Sequence, residues 1–103
     1  NYNGDINNNI DENIKPYLKN ENIIDIDFYL IENETDINSS INIILEYKKD
    51  IDMILFDKDY NYIKESKNKL YTDFNSGQKY YIALIFYGDK YLIDRYKLYY
   101  DFN

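Results

Sequence analysis

Apolar side chains recur at every second residue along most of this chain, a spacing that suits a strand lying on a core and not a helix. Over 23–31 (IIDIDFYLI), Ile24, Ile26, Phe28 and Leu30 share one face, and Asp25, Asp27 and Tyr29 share the other. The alternation returns over 37–47, with Ile37, Ser39, Ile41, Ile43, Leu45 and Tyr47 on one side. In DIDMILFD (50–57), Ile51, Met53 and Leu55 oppose Asp52, Ile54 and Phe56. KDYN (58–61) and NSGQ (75–78, with Gly77) read as turns, with shorter strands over NYIKES (61–66) and KLYTDF (69–74). KYYIALIFY (79–87) is the strongest strand; Tyr80, Ile82, Leu84 and Phe86 face one way, and Tyr81, Ala83, Ile85 and Tyr87 the other. Gly88 turns the chain into RYKLYYDF (95–102), where Tyr96, Leu98, Tyr100 and Phe102 share a face. Aromatic and β-branched strands with frequent turn signals predict an all-β chain, an antiparallel sandwich of seven or eight strands. No segment carries a capped helical stripe, and Pro16 suits at best an edge strand. Residues 1–9 (NYNGDINNN) read as a polar leader or linker, and 10–103 as a single domain.

Composition narrows the chemistry. The chain has 103 residues with neither Cys nor His, which removes thiol catalysis, Ser-His-Asp triads, disulfides and Cys/His zinc sites. A net charge of −7 argues against nucleic acid as a partner, because phosphate contacts need an excess of Lys and Arg. No apolar run approaches the ~20 residues of a membrane-spanning helix. Paired carboxylates could serve glycoside hydrolysis, but a chain this short has little room for a cleft beside a core, so no enzyme is expected. Asn, Ile, Lys and Tyr dominate, as AT-rich codons would dictate, so the abundance of tyrosine alone calls for no functional explanation.

The order of motifs resembles the bacterial pre-peptidase C-terminal domain family, best known from the collagen-binding domains of clostridial collagenases. The resemblance rests on Asp25-Ile26-Asp27-Phe28-Tyr29, then Ile41-Asn42-Ile43-Ile44-Leu45, then Asp50-Ile51-Asp52-Met53-Ile54-Leu55-Phe56-Asp57. Tyr62-Ile63-Lys64-Glu65-Ser66, Gly77-Gln78-Lys79-Tyr80-Tyr81-Ile82 and Tyr96-Lys97-Leu98-Tyr99-Tyr100 follow in family order. Asn3-Gly4-Asp5 stands where the family often has a Glu-Pro-Asn-Asp leader. The resemblance implies a jelly-roll β-sandwich and an outward ligand-binding row of Tyr81, Ile85 and Tyr87. Tyrosine suits such a face, since it offers a rigid ring and a hydroxyl. It also implies a calcium site.

Asp25 and Asp27 project from one strand face about 6–7 Å apart, close enough to share a hard cation if loop oxygens complete the shell. Asn3 and Asp5 would supply those oxygens if the leader folds back; the alternative is an ordinary solvated face. Asp50, Asp52, Asp57 and Asp59 fit turn chemistry and a solvated face better than a metal site. The resemblance implies a non-catalytic module of a secreted or surface bacterial protein, a peptidase, that anchors its parent to an insoluble protein or matrix. The alternatives are a structural spacer or self-association domain, or a carbohydrate-binding module, against which the absence of Trp counts.

Overall fold

The computed structural model describes residues 12–19, 21–88 and 94–102. Its strands are β1 (Ile23–Glu32), β2 (Ser39–Glu46), β3 (Asp52–Asp57), β4 (Tyr62–Lys67), β5 (Lys69–Phe74), β6 (Lys79–Tyr87) and β7 (Lys97–Phe102). They form two antiparallel sheets, β1-β6-β3-β4 and β5-β2-β7, so the expected sandwich is the architecture found. Only β3 and β4 make a hairpin between sequence neighbours; every other connection passes from one sheet to the other. The alternation explains the layering. Ile41, Ile43 and Leu45 of β2 meet Met53 and Leu55 of β3 and Ile82, Leu84 and Phe86 of β6 between the sheets. Full burial of each such side chain contributes about 1.5–3 kcal/mol.

One strand is turned over relative to the expectation. In the β1–β6 register Asp25 lies beside Phe86, Asp27 beside Leu84, Tyr29 beside Ile82 and Ile31 beside Tyr80. Paired residues share a face, so the polar side of β1 looks toward the second sheet. Ile26 and Phe28 lie beside Ile85 and Ala83 and look outward. The reason is that the four-stranded sheet has two apolar faces. The outward one gathers Ile26, Ile54, Phe56, Ala83 and Ile85, and it is capped by Ile14, Tyr17 and Leu18 of the N-terminal segment.

That segment contains the chain's single proline, on which an edge strand was expected at best. Pro16 is instead the second residue of a one-turn 3-10 helix, Lys15–Tyr17. Proline's fixed φ and missing N–H cost nothing in a first helical turn. Ile14, just before the turn, is 1% exposed on the sheet.

Two asparagines hold the corners. Asn33, buried at the end of β1, donates from its amide to the carbonyls of Ile37 (3.0 Å) and Phe74 (2.8 Å). Its side-chain oxygen accepts from the N–H (3.0 Å) and the hydroxyl (2.6 Å) of Thr35. Asn68, at φ 60, turns the chain from β4 into β5. Its amide donates to the Lys49 carbonyl at 2.8 Å and its oxygen accepts from the Ile51 N–H at 2.5 Å. Asn tolerates the left-handed conformation better than other side-chain-bearing residues.

Asn33→Ala strips the buried Phe74 carbonyl and the part-buried Ile37 carbonyl of their donor and is expected to cost roughly 1–3 kcal/mol of stability. Equilibrium urea denaturation of the variant beside the parent checks this.

Candidate functional site

The row implied as the ligand face lies on β6 as the alternation requires. Tyr81, Ile85 and Tyr87 pair with Leu30, Ile26 and Ile23 of β1 and share the outward face. That face is not open. Ile85 is 1% exposed, while Tyr81 and Tyr87 are half-buried and pack on the same outer cluster. The Tyr87 hydroxyl accepts from the Lys19 N–H at 2.9 Å, and the Lys19 ammonium stands 5.7 Å from the Tyr87 ring centroid. The Tyr81 ring lies 5.0 Å from that of Tyr60, in the β3–β4 turn, and a hydrogen bond with Tyr60 joined by burial pushes the Tyr81 phenol up. Tyr17 stacks on Tyr62 at 4.4 Å. The N-terminal segment thus occupies the place expected for a ligand, because the apolar outer face demands a cover.

The cover is latched by Asp52, which turn chemistry and a solvated face were expected to explain. Asp52 is 7% exposed and faces outward under the segment. Its carboxylate pairs with Lys19 at 3.2 Å and Lys67 at 2.7 Å. Turn chemistry does describe Asp57. Its oxygens accept from the N–H groups of Asp59 (2.8 Å) and Asn61 (2.9 Å) and from the Asn61 amide (3.1 Å). Burial pushes the Asp57 carboxyl up, but these hydrogen bonds and the Lys58 ammonium outweigh it and hold the group below the usual carboxylate range.

Of the implied calcium ligands, Asn3 and Asp5 lie outside the described residues. Asp25 and Asp27 share a face, as expected, and that face is turned toward the second sheet. Asp27 accepts from the Tyr96 hydroxyl at 2.7 Å. With its hydrogen given to Asp27, Tyr96 accepts in turn from the Tyr29 hydroxyl. Among the described residues no group of three or more carboxylate, Cys or His side chains is drawn together as a metal cage would be.

The open tyrosine surface is elsewhere. β1 and β7 are edges of different sheets, and between them runs a groove of about 440 Å³. Tyr29, Ile31, Ile82, Tyr96, Leu98 and Tyr100 line it. Seven large apolar side chains are exposed among the described residues, and four of them, Tyr29, Leu30, Tyr100 and Phe102, stand on these two edge strands. Burial, the Asp27 carboxylate and the Tyr29 hydroxyl together push the Tyr96 phenol far above the ordinary tyrosine range. The periodicity of 95–102 already groups Tyr96, Leu98, Tyr100 and Phe102 on one face. The missing signal is spatial: nothing in the spacing says that β7 ends a sheet opposite β1.

No protein-family model matches the chain, and neither a curated protein nor a solved structure does.

Two outcomes follow from this geometry. Ile14→Ala is expected to cost about 2–4 kcal/mol in urea denaturation, since a buried isoleucine is truncated beneath the latch. The folded Tyr96 phenol titrates above its unfolded value of 10.0. The stability it contributes is therefore complete below that value and is lost as the pH climbs past it. Urea midpoints measured from about pH 8 to about pH 11 should fall with rising pH, and Tyr96→Phe should flatten that fall while lowering the midpoint at neutral pH.

Proposed function

We propose that this chain is a non-catalytic binding module of a larger secreted or surface bacterial protein, a peptidase in the reading the motif order favours. It anchors that parent to a protein substrate or matrix through the tyrosine-lined groove between β1 and β7. The observation that carries the reading is the gathering of Tyr29, Leu30, Tyr100 and Phe102 along the two edge strands, where exposed apolar groups are least expected without a partner. An extended protein segment suits the place. Strand edges offer backbone hydrogen bonds, and the groove beside them takes alternate side chains. Tyrosine supplies a large rigid contact with a hydroxyl for polar partners. The lack of Cys and His supports a binding role over catalysis. The absence of Trp favours a protein ligand over a sugar. Calcium held by Asp25 and Asp27 with oxygens from the leader remains part of this reading, and Asp27 would then exchange the Tyr96 hydrogen bond for the cation.

The test is co-sedimentation of the purified chain with insoluble collagen, a non-collagenous fibrous protein and an insoluble polysaccharide, each with calcium and with chelator. Retention on a protein phase is expected, reduced by Leu30→Ser and by Tyr100→Ser. Tyr71→Ser should leave retention unchanged, since Tyr71 is exposed on β5, away from the groove. Retention on none of the three phases, or retention indifferent to Leu30 and Tyr100, would sink the groove reading in favour of a spacer. Melting temperatures in the same buffers read the cation, because a ligand bound only by the folded chain raises them.

A further inference from the structure

The far side of β7 pairs with no described strand, so its backbone donors and acceptors face outward from the three-stranded sheet. Such an edge accepts another strand readily unless its side chains forbid it. Here they specify a partner. The edge reads Tyr96-Lys97-Leu98-Tyr99-Tyr100-Asp101-Phe102, which is complementary to itself about Tyr99. Laid antiparallel against a copy of itself, Tyr96 meets Phe102, Lys97 meets Asp101, Leu98 meets Tyr100 and Tyr99 meets Tyr99.

We propose that β7 pairs antiparallel with β7 of a second copy across a two-fold axis at Tyr99, joining the two three-stranded sheets into one. The symmetry makes each contact twice, so two Lys97–Asp101 ion pairs form. Lys97 and Asp101 are both exposed, and both lie on the sheet face turned away from the core. They can meet their counterparts without entering the interior. Leu98, Tyr100 and Phe102 lie on the other face with Leu45, Ile43 and Ile41 of β2. Tyr100 is 46% and Phe102 47% exposed, and pairing at this edge would extend the core over them.

The register also satisfies the backbone. Along an edge strand, alternate residues point their N–H and C=O outward. Pairing about Tyr99 always sets odd-numbered residues against odd and even against even, so outward groups meet outward groups. A shift of two residues keeps that match but loses the Lys97–Asp101 pairs: one direction sets Lys97 beyond the strand's end, and the other sets it against Tyr99 and brings Asp101 to Arg95, which lies before the strand begins. β1, the edge strand across the groove from β7, carries only acidic charge (Asp25, Asp27 and Glu32), so no register of β1 on itself brings opposite charges together. A chain of net charge −7 repels its copies in general, which leaves the local match on β7 to decide the approach.

This inference goes beyond the groove's binding role and competes with it for Tyr100 and Phe102; its test contains no ligand, so either can fail alone. Sedimentation velocity of the full chain over rising concentration should show a monomer–dimer equilibrium. Lys97→Asp places two like-charged pairs at the axis and should weaken dimerisation on the order of tenfold or more; Asp101→Lys should do the same. An equimolar mixture of the two variants should dimerise again, because every cross-strand pair is then Asp against Lys. The double variant Lys97→Asp/Asp101→Lys should dimerise as the parent does. Circular dichroism checks that each exposed substitution leaves the fold intact. A parent that stays monomeric up to about 1 mM overturns the proposal. So does a dimer indifferent to both single substitutions, or a mixture that fails to re-associate.

Discussion

β6 is apolar on both faces, and that single constraint organises the molecule. Its residues Ile82, Leu84 and Phe86 enter the core between the sheets, while Ala83 and Ile85 are equally buried on the opposite side. β3 beside it behaves the same way, with Met53 and Leu55 on one side and Ile54 and Phe56 on the other. A second sheet covers only one face of such a pair. The other face needs a third layer, and Ile14, Tyr17 and Leu18 provide it. Asp52 ties that layer's position to its charge. A buried carboxylate is costly alone and tolerable when paired, and Lys19 arrives beside it only when the segment lies across the sheet. The Lys19 arm of the pair therefore forms with the cover, while Lys67 of β4 holds Asp52 from within the sheet.

The same constraint explains where sequence reading works and where it does not. Periodicity finds the strands because side chains alternate whatever they face, so the division of β6 into Tyr80/Ile82/Leu84/Phe86 and Tyr81/Ala83/Ile85/Tyr87 is legible from spacing alone. Which face meets which layer is not. On β1, Ile26 and Phe28 look like the residues that should meet the second sheet, yet they meet the N-terminal segment. Asp27 and Tyr29 take the inward side because an edge strand places that side at a rim, where Tyr96 reaches both hydroxyl and carboxylate. Pro16 marks the segment responsible, but a proline read locally says only that a strand interior is excluded. That the turn it belongs to lies across β6 is a tertiary fact. The row of Tyr81, Ile85 and Tyr87 follows from this: it faces outward, as the alternation requires, with Ile85 beneath the cover.

The asparagines show a second kind of illegibility. Their abundance is what codon usage alone would deliver, so no single one stands out. Asn33 and Asn68 nevertheless tie loops to strands through both ends of their amides. A fold whose strands nearly all cross between sheets needs such fixed corners, because each crossing leaves backbone groups outside both ladders that must find partners. Tyrosine has the same ambiguity. Tyr80 gives its hydroxyl to the Asp73 carbonyl at 2.6 Å and serves the core, while Tyr29 and Tyr100 remain open to solvent. Identical residue types are sorted into structural and available only by position.

The two edge strands that flank the groove, β1 and β7, carry that sorting furthest. An exposed strand edge with apolar neighbours is a hazard in any soluble sandwich, because unlike surface patches it also offers unsatisfied backbone groups. Proteins blunt such edges with charge, and β7 does carry charge, at Lys97 and Asp101. A strand protected only against aggregation is served by charges of one sign, since no self-pairing register then brings opposite charges together. Opposite signs set symmetrically about a central residue do the reverse. Within β7 they favour the register that sets them against each other, since a shift of two residues leaves Lys97 against Tyr99 or past the strand's end. β1 has the protective arrangement, with Asp25, Asp27 and Glu32 all acidic. The contrast separates the edges by charge: β1 offers its own copy only like charges, whereas β7 sets Lys97 and Asp101 symmetrically about Tyr99, the pattern on which the proposed self-pairing rests.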